Sequence, residues 1–232
     1  MPTAVAPLSE EHLEQATSMV AARYRAARRQ IPFLPARFED PGAVLPHLQD
    51  HVGHVPGVAA LRGDRLVGFV LSLLVRNRGE RLAVVPDFGH AAEPWDRYEI
   101  YRQMYAAIAD RWLANGCFWH AITFYPQERE ALDAWVSVGF GLAVIDALQV
   151  LDARPPPAET AGIRRAQAGD IDLIVPLELA LERHLSSSPT YLPLIVEGGR
   201  RSLEDWLADK SHALWLAFRA GEAVAYLRFE PS

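Results

Sequence analysis

The sequence predicts an α/β protein with a mixed, twisted sheet flanked by helices, and two observations support this prediction. Short apolar segments bounded by turn residues alternate with longer segments in which apolar residues recur at helical spacing. The first strands follow one another as a hairpin, whereas the later strands alternate with helices, which is the order of a sheet with a parallel portion. Helices are therefore expected to cover the faces of a single mixed sheet.

The elements up to residue 152 are predicted from apolar spacing and from the residues that begin and end helices. Ser9 is a candidate N-cap, and Gly116 and Gly139 are candidate helix stops. The third helix carries Ile100, Met104, Ile108 and Trp112 on one face at a spacing of four residues. We predict helices over residues 10–30, 41–51, 98–115 and 128–138, a hairpin over 57–75, and strands over 5–8, 81–85, 118–124 and 142–151.

The chain also contains an internal similarity that predicts a duplication. Residues 60–69 align without gaps with residues 217–226, and both segments run from an apolar strand through a Gly-containing acidic turn into a second apolar strand. We therefore expect a complete domain over 1–152, a Pro-rich linker over 153–159 and the front half of a second domain over 160–232. The second copy is expected to lack whatever the first builds from residues 76–152.

Composition narrows the classes of function. The chain has 232 residues, half of them apolar, and a net charge of −6, which argues against a nucleic-acid surface. It has no apolar run of membrane-spanning length and no signal-peptide core near Met1, so we expect a cytoplasmic protein without a membrane partner. The single cysteine, Cys117, excludes internal disulfides and multi-cysteine zinc sites, and no metal site is predicted.

The order of elements, together with the segment 128–140, resembles the GNAT superfamily of N-acetyltransferases, which move an acetyl group from acetyl-CoA to an amine. The family commonly has N-x-x-A-x-x-x-Y-x-x-x-G-F at the end of its short helix, and Ala131, Gly139 and Phe140 match this pattern. Glu128 replaces the asparagine and Trp135 replaces the tyrosine, which in the family often returns a proton to the CoA thiolate. An indole cannot take over that role, because its N–H does not titrate in an accessible range.

A second family motif, V-x-P-x-x-[R/Q]-x-x-G-x-[G/A], is only partly present. Val84, Val85 and Pro86 match its first three positions, where the strand end presents backbone groups to pantetheine. The glycines that would form the pyrophosphate cradle before the helix are missing. Arg97 and Arg102 are candidates to compensate, because guanidinium groups bind phosphate well.

The resemblance implies an acetyl-CoA-dependent transferase that acts on a small-molecule or peptide amine, with a degenerate first copy that binds acetyl-CoA weakly or not at all. The alternative is a catalytically inactive binding or scaffolding module. His120, with His90 as a second option, is the candidate base. The candidate site consists of catalytic His120 and Trp135 and cofactor-binding Val84, Val85, Arg97, Arg102 and Ala131. An unpaired strand in the truncated copy predicts a homodimer through residues 160–232.

Overall fold

The computed structural model describes residues 2–77, 80–146, 148, 162–188 and 199–230. These residues belong to two units, one within Met1–Leu148 and the other within Gln149–Ser232. The Pro-rich linker predicted over 153–159 lies outside the described residues. None of the helices in the described part of the chain is both long enough and apolar enough to cross a membrane.

The first unit alternates strands and helices, so the predicted α/β class is confirmed. Five strands and two α-helices precede a final strand–helix–strand–helix order. The elements are β1 (Ala4–Pro7), α1 (Leu13–Arg28), α2 (Pro41–Gln49), β2 (Gly57–Arg62), β3 (Arg65–Leu71), β4 (Leu73–Asn77), β5 (Glu80–Val85), β6 (His90–Ala92), α3 (Arg97–Ala114), β7 (Trp119–Ile122) and α4 (Arg129–Ser137).

The strands of this unit form two sheets, whereas the sequence predicted a single mixed sheet. One sheet has the antiparallel order β1-β2-β3-β6, and the other has the order β4-β5-β7, in which β5 and β7 run parallel. Ser72 separates β3 from β4, and its hydroxyl donates to Pro56 O at 3.1 Å and accepts from Trp112 Nε1 at 2.7 Å. Residues 86–89 separate β5 from β6. The predicted mixed sheet is therefore interrupted on two neighbouring strands, at Ser72 on one and at residues 86–89 on the other.

Helices cover both faces of the β1-β2-β3-β6 sheet. The helices α1 and α2 pack through residues such as Val20 and Leu48 against Phe69 and Leu71. On the other face, α3 buries the predicted stripe of Ile100, Met104, Ile108 and Trp112, and α4 adds Ala131, Ala134 and Trp135. Burial of one apolar stripe explains why the spacing of four residues in α3 predicted a helix correctly.

Two further features of the first unit differ from the sequence prediction. The short strand β6 was not expected, and it pairs with β3 through Val70 and His90. The strand predicted over 142–151 is wrong for residues 142–146 and 148, which are irregular, while the remaining positions lie outside the described residues. Leu142 and Ile145 are 75% and 74% exposed. A β-prone apolar segment becomes a strand only when a neighbouring strand pairs with its backbone.

The second unit is a small antiparallel sheet with two helices. It contains β8 (Ile163–Arg165), α5 (Ile171–Leu185), α6 (Gly199–Ala208), β9 (Ala213–Arg219) and β10 (Glu222–Phe229). The strand order is β10-β9-β8, so the hairpin indicated by the pattern at residues 217–226 is present. Its core joins Ile171 and Ile174 of α5 and Leu203 of α6 to Leu214 and Leu216 of β9.

Candidate functional site

The first unit has a gap between strand ends on the carboxyl side of its parallel pair. The strands β5 and β7 pair as far as Val85 and Ile122, and the amide of Thr123 then donates to Val85 O at 3.1 Å. After β5 the chain turns through residues 86–89 and continues as β6, which pairs with β3 and not with β7. The two strand ends thus separate, and their backbone carbonyls require other partners.

The side chain of Arg23, from α1, fills this gap. Its guanidinium forms a two-point ion pair with the Glu128 carboxylate, in which Nε and Nη2 each donate at 2.7 Å. It also donates to the backbone carbonyls of Asp87, His90 and Thr123, which lie on both sides of the gap. Both members of the ion pair are buried, with side chains 8% and 9% exposed. Arg23 therefore links the two separated strand ends from inside the protein.

Glu128 is itself fixed by the chain that leads into α4. Its Oε2 accepts the amide N–H of Tyr125 at 2.9 Å. The ring of Tyr125 lies under the Arg23 guanidinium at 4.7 Å, and its hydroxyl donates to Asp87 Oδ2 at 3.1 Å. Burial, followed by the charge of Asp87, raises the pKa of Tyr125. The Tyr125 hydroxyl therefore stays protonated and holds the two strand ends together.

His90 adds a second bridge across the same gap. Its Nε2 lies 2.7 Å from Thr123 O, so it donates, and its Nδ1 lies 2.7 Å from the Tyr101 hydroxyl and accepts. Burial and the positive charge of Arg23 hold the pKa of His90 well below its ordinary value. The imidazole is therefore neutral, and both of its nitrogens are engaged.

The segment before α3 is held to the β2–β3 hairpin by arginines. Arg62 pairs with Asp96 at 2.7 Å and stacks on Trp95 at 4.4 Å. Arg65 forms a two-point pair with Glu93. Asp96 has a φ of 63°, in the left-handed region that non-glycine residues rarely adopt. The start of α3 is thus a loop whose acidic side chains are held by arginines of the hairpin.

A solvent-accessible opening of about 250 Å³ lies beside the Arg23–Glu128 pair, and it is lined by Arg23, Ala26, Arg29, Gln30, Arg97, Gln127 and Glu128. Glu128 is already paired with Arg23. Among the residues that the structure describes, Arg29 makes no ion pair and Arg97 donates only to Ala92 O, at 3.3 Å. The opening therefore carries excess positive charge in a chain whose net charge is −6.

The structure brings one of the seven predicted site residues to this opening, Arg97. The other six lie elsewhere in the first unit. Arg102 is exposed and pairs with Glu99 at 3.2 Å. Val84 and Val85 pair with β7, while Ala131 and Trp135 are buried in α4. The indole N–H of Trp135 has no hydrogen-bond partner among the described residues. The roles assigned to these residues from the resemblance stay predictions.

His120 lies on β7 between aromatic rings. Its ring is 4.6 Å from that of Trp112. Its Nε2 donates to Cys117 O at 3.1 Å, and its Nδ1 accepts from the Tyr105 hydroxyl at 3.3 Å. Burial lowers the pKa of His120. Both nitrogens are thus hydrogen-bonded within the protein, and the role of His120 as the base stays a prediction.

The chain was compared with known proteins, and three of the similar solved structures are acetyltransferases. No protein-family model and no curated protein matches the chain. A ribosomal-protein-alanine N-acetyltransferase from Brucella melitensis biovar Abortus 2308 is 16% identical, with 65% of this chain and 100% of that chain covered and a TM-score of 0.48. An aminoglycoside acetyltransferase from an uncultured soil metagenomic sample, in complex with sisomicin, is 19% identical, with 65% and 97% covered and a TM-score of 0.46. An aminoglycoside N-acetyltransferase in complex with CoA is 18% identical, with 67% and 95% covered and a TM-score of 0.37.

Sequence reasoning missed the central residues of this site. Arg23 is one of many arginines, and it meets Glu128 across 105 positions of the chain. The available signal was Glu128 itself, a carboxylate at the position where the family motif has asparagine. A buried carboxylate needs a cation, so this departure indicates a basic partner from another element.

Proposed function

We propose that the chain is a GNAT-type N-acetyltransferase family protein whose first unit is a binding or scaffolding module that does not itself transfer acetyl groups. The observation that supports this proposal is the Arg23–Glu128 pair between the strand ends. In the family this is where a strand end presents backbone groups to pantetheine. Here the carbonyls of Asp87, His90 and Thr123 are taken by Arg23 and by the His90 ring.

The residues before α3 support the same proposal. Pro94 has no N–H to offer a phosphate, and Glu93 and Asp96 add negative charge on the approach to the helix. Both carboxylates are held by arginines of the hairpin. We infer that these residues do not fit acetyl-CoA, because its pantetheine and pyrophosphate would each replace an interaction already made within the protein.

We expect acetyl-CoA to bind the 232-residue chain with a dissociation constant of about several hundred micromolar or weaker. The loss of charge-assisted hydrogen bonds, each contributing about 1.5–3 kcal/mol, accounts for the weak binding. Isothermal titration calorimetry on the full chain measures it. Binding at a few micromolar would contradict the proposal.

A second candidate function is acetyl transfer by the first unit to a small-molecule or peptide amine, and the positively charged opening favours it. The guanidinium groups of Arg29 and Arg97 would then replace the missing cradle. This candidate predicts that Arg29→Gln or Arg97→Gln weakens acetyl-CoA binding at least about tenfold. Arg102→Gln is the matched control, because Arg102 does not line the opening. Equal binding by all three variants would exclude Arg29 and Arg97 as the phosphate ligands.

We further propose a homodimer through residues 160–232, formed by β10. This strand is at the edge of its sheet in the order β10-β9-β8, and an edge strand exposes unpaired backbone groups. Light scattering over a wide dilution range is expected to show a mass that rises with concentration above the monomer value of 25.8 kDa. A chain ending at residue 212, which lacks β9 and β10, is expected to stay monomeric. A constant monomer mass for the full chain, or a dimer of the shortened chain, would contradict this.

A further inference from the structure

The sheet of the second unit has one covered face and one exposed apolar face. Leu214 and Leu216 of β9 point to the helices α5 and α6 and are buried. The opposite face is apolar and lines a groove of about 410 Å³. Its larger side chains remain 41–58% exposed; they are Ile163, Trp215, Leu227 and Phe229. A contiguous apolar face of this kind marks an interaction surface.

The hairpin of the first unit has the same register, so it identifies the equivalent face. In β2 and β3, Ala60 pairs with Gly68 and Leu61 with Leu66, which leaves Val67 as a bulge. In β9 and β10, Ala217 pairs with Ala225 and Phe218 with Ala223, which leaves Val224 as a bulge. All these positions are related by the offset of 157 residues seen in the sequence. Each outer-face residue of the second unit therefore has a counterpart in the first.

In the first unit a helix covers this face. Val58, Val67 and Val70 are fully buried against the apolar stripe of α3. Their counterparts in the second unit are Trp215, Val224 and Leu227, which are 41%, 51% and 58% exposed. The fold itself thus shows which kind of element buries this surface, namely an amphipathic helix with apolar residues at a spacing of four.

An arginine at the end of the first strand of the hairpin is also present in both units. Arg62 in the first hairpin pairs with Asp96 at the N-cap of α3. Its counterpart is Arg219, which forms no ion pair with any described residue. The occupant of the exposed face is therefore expected to carry an acidic residue at the start of its helix, where a carboxylate also complements the helix dipole.

Among the positions that differ between the two hairpins, Gly68 and its counterpart limit the size of the occupant. A Cβ at Gly68 would lie 2.6 Å from Ile100 Cγ2 and 3.2 Å from the Met104 methyl. The counterpart in β10 is Ala225, which has that Cβ. A helix on the exposed face must therefore carry a residue smaller than isoleucine where α3 carries Ile100.

We propose that the outer face of β8, β9 and β10 binds an amphipathic α-helix that begins with an acidic residue and has a small residue opposite Ala225. Three observations support this together: the exposed groove, the shared hairpin register, and Arg219, which has no ion-pair partner within the described residues. The proposal does not depend on whether either unit binds acetyl-CoA.

The test uses a fluorescein-labelled synthetic peptide with the sequence of residues 93–114 and the substitution Ile100→Ala. It is titrated with the full 232-residue chain, and its fluorescence anisotropy is measured. We expect binding with a dissociation constant on the order of tens of micromolar. The peptide that keeps Ile100 is expected to bind at least about fivefold more weakly, and Ala225→Gly in the protein is expected to restore its affinity.

Substitutions in the protein locate the site. Leu227→Asp is expected to abolish binding, whereas Leu181→Asp on α5, which is 41% exposed in the wild type, is the matched control and leaves it unchanged. Arg219→Glu is expected to lower the affinity about fivefold, and the peptide with Asp96→Arg restores it.

Three outcomes would overturn the proposal. One is no change in anisotropy with any of the peptides, and another is binding that persists in Leu227→Asp. The third is self-association of the chain that Leu227→Asp abolishes while the peptide fails to bind, which would assign the face to a second copy.

Discussion

Replacing Glu128 with alanine is expected to destabilise the first unit by about 3–5 kcal/mol, because it leaves the buried Arg23 charge unpaired between the strand ends. The substitution also removes the acceptor for the Tyr125 amide. Denaturant unfolding followed by tryptophan fluorescence measures the loss. Arg23→Met with Glu128→Leu is expected to cost less than the sum of the two single changes, because no lone charge then remains.

The matched control is the exposed pair of Glu99 and Arg102, whose side chains are 41% and 46% exposed. Glu99→Ala is expected to change the free energy of unfolding by less than about 1 kcal/mol. If Glu128→Ala cost no more than this control, Arg23 would have access to water and the gap between the strand ends would be open. That result would also remove the main support for an inactive first unit.

The stability of the first unit is expected to fall as the pH is lowered from about 6.5 to 5, because His90 is buried in its neutral form. In the unfolded chain this histidine titrates near its ordinary pKa of about 6.5, whereas in the folded protein its pKa is well below that value. Below pH 6.5 the unfolded state therefore binds more protons. The free energy of unfolding decreases by up to about 1.4 kcal/mol per pH unit, or roughly 2 kcal/mol by pH 5.

Unfolding curves at a series of pH values test this dependence. His90→Gln is expected to lower stability at neutral pH but to flatten the slope between pH 6.5 and 5. His120→Gln is the comparison, since the pKa of that half-buried histidine is also lowered by burial, and a smaller change in slope is expected. The carboxyl of Asp170, whose pKa the Arg164 hydrogen bond lowers to about 2, titrates below this window. An unchanged slope in His90→Gln would show that folding does not lower the pKa of His90, which would contradict its burial as a neutral imidazole.

The sequence by itself determined the elements whose signals are local. The apolar spacing of α3, the turn at Gly63 and the stop at Gly116 each act within a few residues, because backbone geometry and one-sided burial decide whether a helix or turn forms. The shared hairpin pattern at residues 60–69 and 217–226 was also visible in the sequence, because each hairpin is formed by residues close together in the chain. In the structure the two hairpins have the same register and the same bulge.

Only the tertiary structure decided what lies between the separated strands. The partner of Glu128 comes from a helix 105 residues earlier, and neither side chain has a local pattern that indicates the other. The break at Ser72 depends on its hydrogen bonds with Pro56 and Trp112, which come from other parts of the chain. The extra strand β6 depends on its pairing with β3. Burial of a charge forces a specific partner to be present, but the sequence does not say which of its arginines is within reach.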